Sequence, residues 1–175
     1  MNKQLIGFVL AATIAAPGMA ALPVGAKAPD FVTVGAVGGK PFKLHLAQQL
    51  RHGPVVLYFF PKAFTSGCTA EAHAFSEAIG DFKKVGARVI GMSADDLPQL
   101  KKFSVEECRS AFPVATATPA TQKAYDVAWA EHPGLTTRTS YVIDRHARIV
   151  MVHDDLDWSK HVSETLSAVQ KLNKR

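Results

Sequence analysis

Residues 55–75 read VVLYFFPKAFTSGCTAEAHAF, and the fold turns on how this stretch divides. Val55 to Phe60 is apolar at nearly every position, the pattern of a strand covered on both faces and therefore central in a sheet. Pro61 ends the strand, because proline has no N–H to give to a central ladder. Cys68, Ala72, Phe75 and Ile79 then recur at i, i+4, i+7 and i+11, one face of a helix that Gly80 is expected to close. A cysteine therefore stands in the first turn of a helix fed by a buried strand.

Outward from this unit, strand-length apolar runs alternate with helically spaced stretches, the pattern of an α/β sandwich. Arg88 to Met92 reads as a second buried strand. Ser93, Asp95 or Asp96 can cap a helix that begins near Leu97 or Pro98 and runs toward Glu107. Phe112 to Val114 reads as a short strand, and Thr118-Pro119 starts a short helix reaching Tyr125. Ser140 to Ile143 and Arg148 to Val152, joined by Asp144-Arg145-His146-Ala147, form an antiparallel hairpin. Leu156 through Leu172 is an amphipathic terminal helix. Residues 21–54 receive no element. A central strand feeding a cysteine-bearing helix, with a later hairpin, resembles a thioredoxin-like fold: a central mixed β-sheet flanked by helices.

The composition sets the bounds. A chain of 175 residues is one domain's length. With 47% hydrophobic and 20% charged residues it is neither collagen-like, coiled-coil nor mainly disordered. The net charge of +5 comes from scattered Lys and Arg rather than a basic block, so no nucleic-acid partner is indicated. Residues 1–20, MNKQLIGFVLAATIAAPGMA, carry Lys3, an apolar run from Leu5 to Ala16 and small residues up to Ala20. That run is too short to span a bilayer, so a secretory signal cleaved after Ala20 is expected, leaving residues 21–175 as an exported domain without a stable membrane anchor.

Cys68 is where chemistry is expected. The unpaired N–H groups and positive dipole end of a helix N-terminus favour thiolate over thiol, and the thiolate is the reactive form. Thr65, three residues earlier, can accept from the helix end or donate toward a ligand over the sulfur. Gly67 lets a ligand approach the backbone.

The spacing Pro61-x-x-x-Thr65-x-x-Cys68 after an apolar strand, followed by Thr69 and Glu71, resembles the active-site signature of the peroxiredoxins. The likeness is greatest to their Q-type, bacterioferritin-comigratory group. It extends to Val89-Ile90-Gly91-Met92-Ser93 and to Arg138-Thr139-Ser140-Tyr141-Val142-Ile143-Asp144, which looks like the family's arginine-bearing strand. The resemblance implies a thiol-dependent peroxidase without metal or organic cofactor, acting on hydrogen peroxide or small organic hydroperoxides. Cys68 would be the attacking thiolate. Thr65 and the amides near Gly67 would hold peroxide, Arg138 would stabilise the thiolate and leaving oxygen, Pro61 would shield the sulfur, and Glu71 would orient the arginine. It further implies an external thiol or thioredoxin-like reductant, and a monomer in the bacterial periplasm is expected.

Cys108 lies forty residues after Cys68 and is expected to resolve its sulfenic acid as a disulfide. The nearer resolving position of some relatives, five residues after the reactive cysteine, is His73 here. One-cysteine chemistry with an external thiol and an intersubunit bridge are the other routes. The rival reading is a non-enzymatic exported module with a structural Cys68–Cys108 disulfide; a thiol-disulfide oxidoreductase or copper carrier is disfavoured by the absence of C-x-x-C. The seven histidines, His45, His52, His73, His132, His146, His153 and His161, show no metal-ligand spacing. His153-Asp154-Asp155 reads as a solvated strand end, Asp95-Asp96 as helix capping, and Trp129 and Trp158 as core or rim residues.

Overall fold

The computed structural model of the chain describes residues 21–174. The expected signal segment and its cleavage point at Ala20 lie outside the described residues. The elements are β1 (Val32–Val37), β2 (Lys40–His45), α1 (Leu46–Leu50), β3 (Val55–Phe59), α2 (Ser66–Lys84), β4 (Arg88–Ser93), α3 (Leu97–Glu106), β5 (Val114–Thr116), α4 (Pro119–Ala124), β6 (Thr139–Ile143), β7 (Ile149–Asp154), a 3-10 turn at Trp158–Lys160 and α5 (His161–Leu172). One mixed sheet runs in the order β2-β1-β5-β4-β3-β6-β7. Its centre is parallel, β3 with β4 and β4 with β5, while β6, β7, β1 and β2 pair antiparallel.

All five residues of β3 are buried. Because side chains alternate across a strand, Val56 and Tyr58 join one core with Phe75, Phe82, Phe103 and Val169, while Val55, Leu57 and Phe59 join another with Leu46, Tyr125 and Tyr141. The double covering expected of a central strand is what the structure shows.

Several boundaries differ from expectation. Gly80 does not close α2; the helix continues to Lys84, and Gly86, at φ +71°, turns the chain. Ala87 N–H bonds to Phe82 C=O at 2.9 Å and Gly86 N–H to Lys83 C=O at 3.0 Å, a Schellman ending that satisfies the last carbonyls. β5 begins at Val114 rather than Phe112, directly after Pro113, which has no N–H to give to a ladder. The terminal helix begins at His161 rather than Leu156; the Asp155 and Leu156 carbonyls, which a helix start would turn along its axis, instead accept side-chain hydrogen bonds from His161 and Arg138. The β1–β2 hairpin had no expectation, although alternating strands around Gly38-Gly39, both at positive φ, are its signal. Asp96 caps α3 by accepting from Gln99 N–H at 2.9 Å, and Thr118 caps α4. Among the described residues no helix is long and apolar enough to cross a membrane.

Candidate active site

β3 delivers the chain through Pro61 into the loop that precedes α2, and Cys68 is the third residue of that helix. The first helical bond is Thr69 N–H to Thr65 C=O at 2.9 Å, so the amides of Ser66, Gly67 and Cys68 have no carbonyl four residues back within the helix. These amides and the sulfur share the positive end of a helix of 19 residues. Cys68 is only 1% exposed and packs in the apolar cluster of Tyr58, Phe60, Ala63 and Phe75.

Arg138, immediately before β6, reaches across to it. Nη2 donates to Cys68 Sγ at 3.5 Å, Nη1 donates to Glu71 Oε2, and Nε donates to the Leu156 carbonyl at 2.9 Å. Every guanidinium nitrogen is engaged, so the fork is fixed in plane and aim. A Cβ added to Gly67 would stand 3.2 Å from Nη2 and 3.7 Å from Trp158 Cδ1. The missing side chain thus leaves room for the guanidinium and the indole beside the first turn.

Thr65 occupies the N-cap position without capping. Its hydroxyl donates to Lys62 C=O at 2.9 Å instead of accepting from the helix end, which corrects one expected use and leaves the oxygen able to accept. Asp95, grouped with Asp96 as capping, also does something else: Oδ2 accepts from Ala63 N–H at 2.7 Å and from Ser93 Oγ at 2.8 Å.

Beneath Arg138 lies a buried polar cluster. Burial pushes the Glu71 carboxyl up to about 8 against the pull of Arg138. Its Oε1 has no hydrogen-bond partner and lies 3.7 Å from His161 Nδ1. His161 Nε2 lies 2.9 Å from the Asp155 carbonyl, which can only accept; Nε2 therefore carries a proton, and Nδ1 of the neutral ring accepts from Ser140 Oγ at 2.8 Å. Burial brings His161 down to about 4, with His153 and Arg138 adding repulsion. His161 was missed by motif spacing, but it shares a helix face with Thr165 and Val169 at i, i+4 and i+8, which marks it as inward-facing.

Cys108 is fully buried in the same apolar cluster as Cys68, two residues past α3, and both thiols are free. A fixed disulfide is thus not the state seen. Burial, reinforced by neighbouring Glu107, raises the Cys108 thiol strongly. The next two residues, Arg109 and Ser110, hold φ of +50° and +56°. His73 on α2 pairs with Glu107 at 2.8 Å, and Glu77 pairs with Arg109 at 3.2 Å, so α2 clasps both flanks of Cys108. Among the described residues no three His, Cys, Asp or Glu side chains converge on a metal-sized site.

Comparison with known proteins shows the family of the chain and its fold. The sequence model of the AhpC/TSA family matches residues 24–152. Chloroplastic peroxiredoxin Q of Oryza sativa subsp. japonica is 30% identical over 181 residues, spanning 95% of this chain and 82% of the relative. Among solved structures, peroxidoxin BcpB from Mycobacterium tuberculosis superposes with a TM-score of 0.76 at 27% identity, covering 85% of this chain and 97% of that one. Peroxiredoxin Q of Xanthomonas campestris superposes at 0.69 with 23% identity over 80% of this chain and 90% of its own, a likeness of fold. The thioredoxin-like architecture expected from the sequence is the one these structures share.

Proposed function

The chain belongs to the AhpC/TSA family and is a peroxiredoxin, a peroxidase enzyme, and from that premise we propose that Cys68 is its reactive thiolate. The single observation that carries the assignment is the Arg138 guanidinium, 3.5 Å from Cys68 Sγ and held from behind by Glu71 and Leu156 C=O. A buried cation fixed beside a sulfur stabilises the anion that attacks and the charge that passes to the leaving oxygen.

In the proposed cycle a sulfur lone pair of Cys68 attacks one peroxide oxygen. The S–O bond forms as the O–O bond breaks, and the other oxygen leaves as hydroxide or alkoxide and takes up a proton. Sulfur is oxidised to sulfenic acid; the peroxide is reduced to water or an alcohol. Thr65 Oγ1, its own proton committed to Lys62 C=O, accepts from the peroxide O–H, while the free first-turn amides and Arg138 donate to its oxygens. Pro61, half-buried where β3 ends, walls the sulfur from bulk water. Cys108 then attacks the sulfenic sulfur, a disulfide forms and water leaves; an external thiol or thioredoxin-like protein restores both thiols. Hydrogen peroxide and small organic hydroperoxides are the proposed substrates, since the sulfur is almost wholly enclosed.

Cys68→Ser is expected to abolish peroxide consumption with dithiothreitol, while Cys108→Ser keeps the first oxidation step. A Cys68→Ser enzyme as active as wild type would overturn the assignment. Export to a periplasm as a monomer is proposed from residues 1–20 and the composition; N-terminal sequencing of the exported chain, with Ala21 first, and its sedimentation check this.

A further inference from the structure

Asp95 lies in the bend between β4 and α3, fastened at both ends. Its carbonyl accepts from the Thr116 hydroxyl at 3.1 Å, and its carboxylate Oδ2 accepts from Ser93 Oγ at 2.8 Å. The same oxygen crosses to the loop before α2 and accepts from Ala63 N–H at 2.7 Å. That amide belongs to the peptide group joining Lys62 and Ala63. The other end of this planar group, Lys62 C=O, accepts from the Thr65 hydroxyl at 2.9 Å. A single rigid peptide therefore connects the Asp95 carboxylate to the Thr65 hydroxyl.

We propose that Asp95 is a positioning residue of the peroxide pocket, fixing through the Lys62–Ala63 peptide the direction in which Thr65 Oγ1 offers its lone pairs. The inference rests on the reading of Cys68 and Thr65 given above. Thr65 has one hydroxyl proton, and where it points decides whether the oxygen meets the pocket as a donor or as an acceptor. A carboxylate holding the peptide N–H polarises the group and makes Lys62 C=O the better acceptor, so the proton stays turned away from the sulfur. The oxygen is then left to accept from a peroxide O–H.

The backbone between these contacts explains why a clamp is needed. Phe64, one residue past the clamped peptide, has φ +66°, a left-handed conformation that a bulky side chain rarely adopts and that persists only where its surroundings impose it. Two features do so: the Asp95 bond on one side and the edge-on contact of the Phe64 ring with Phe103, centroids 5.3 Å apart, on the other. Without the carboxylate the N–H end of the peptide loses its anchor, and only the long bond from Thr65 N–H to Lys62 C=O at 3.5 Å and the hydroxyl itself hold the other end, so the peptide can tilt and the hydroxyl turns with it.

The test is a double-mutant cycle between Asp95→Ala and Thr65→Val, read as the second-order rate of Cys68 oxidation by hydrogen peroxide. Alkylation of the reduced protein by iodoacetamide, which needs the sulfur but not the hydroxyl, is measured alongside. Asp95→Ala is expected to slow oxidation by about 10- to 100-fold, the usual cost of a misplaced reacting contact, and to leave alkylation within about twofold. In the Thr65→Val background the same change should cost less than about twofold, because the group it positions is gone. Asp95→Asn, whose amide oxygen can still accept from Ala63 N–H, should recover most of the rate. Should Asp95→Ala not fold, Ser93→Ala loosens the carboxylate without touching the loop and should slow oxidation only where Thr65 is present. An unaltered rate in the folded Asp95→Ala protein, or an equal loss in both backgrounds, overturns the proposal. Cys68→Ser separates the two readings: inactive, it leaves an unaltered Asp95→Ala as evidence against this inference alone; active, it removes the assignment beneath it.

Discussion

At the scale of single residues, the aim of Arg138 depends on a missing methyl group. A Cβ at position 67 would stand 3.2 Å from Nη2, tighter than ordinary packing, and the guanidinium cannot retreat without giving up Cys68, Glu71 or Leu156 C=O. Gly67→Ala is therefore expected to slow peroxide oxidation of Cys68 about tenfold, since small displacements of a reacting contact are costly, while thermal stability hardly changes. Stopped-flow oxidation set beside a melting curve checks this; a wild-type rate would show that the fork has slack. Cys68 and Thr65 were legible in the sequence because a strand, a turn and a helix start impose a short local spacing, whereas Arg138, whose partner Cys68 is 70 residues away, was named only through the family resemblance. Asp95 and His161 were not legible, because each acts on a partner remote in the chain: Ala63 for one, Ser140 and Glu71 for the other. Only the fold makes those neighbours.

At the scale of elements, legibility followed the strength of periodicity. β3, α2 and the β6–β7 hairpin carry long apolar patterns and appear where expected. The end of α2 was misplaced because two glycines compete for it, and only Gly86 has the left-handed backbone that stops a helix; Gly80 lies within α2 and a Cβ there would meet nothing within 4 Å. The turn after α3 has no sequence signature at all, since Arg109 and Ser110 are not residues one reads as left-handed. That turn matters for the proposed resolving step. Cys108 is fully buried just past α3, and in the proposed resolving step local opening of this segment is what brings its sulfur to Cys68. What holds it shut is two unusual backbone conformations and two half-exposed pairs, His73–Glu107 and Glu77–Arg109, each worth no more than about 1 kcal/mol. Glu107→Gln is thus expected to speed disulfide formation after one equivalent of peroxide by up to about fivefold, as followed by loss of both free thiols. A stable Cys68 sulfenic acid beside a free Cys108 would instead mean that resolution is external.

At the scale of the whole molecule, two buried groups with opposite displacements give stability a distinctive dependence on pH. Glu71 is raised from its ordinary 4.5 to about 8, burial outweighing Arg138, so the folded state prefers it protonated; that contribution is complete below pH 4.5 and is lost as pH rises toward 8. His161 is lowered from 6.5 to about 4, also chiefly by burial, so the folded state prefers it neutral; its contribution is present above pH 6.5 and is lost as pH falls toward 4. Between pH 4.5 and 6.5 the unfolded chain carries one proton on the histidine and the folded chain one on the carboxyl, and the two slopes cancel. Above pH 6.5 only the Glu71 slope remains. Stability is therefore expected to be level up to about pH 6.5 and then to fall by on the order of 2 kcal/mol by pH 8, as one proton is lost from a site that cannot solvate the anion well. Urea unfolding of the reduced protein at pH 5, 6.5 and 8 measures this directly. Glu71→Gln, which cannot titrate, should abolish the fall between pH 6.5 and 8 whatever it does to the level, because it breaks the pairing with Arg138 equally at every pH. A wild-type curve that keeps rising through pH 8, or a Glu71→Gln curve that falls with it, would show that the Glu71 carboxyl is ionised throughout and that Arg138 faces Cys68 from a full ion pair.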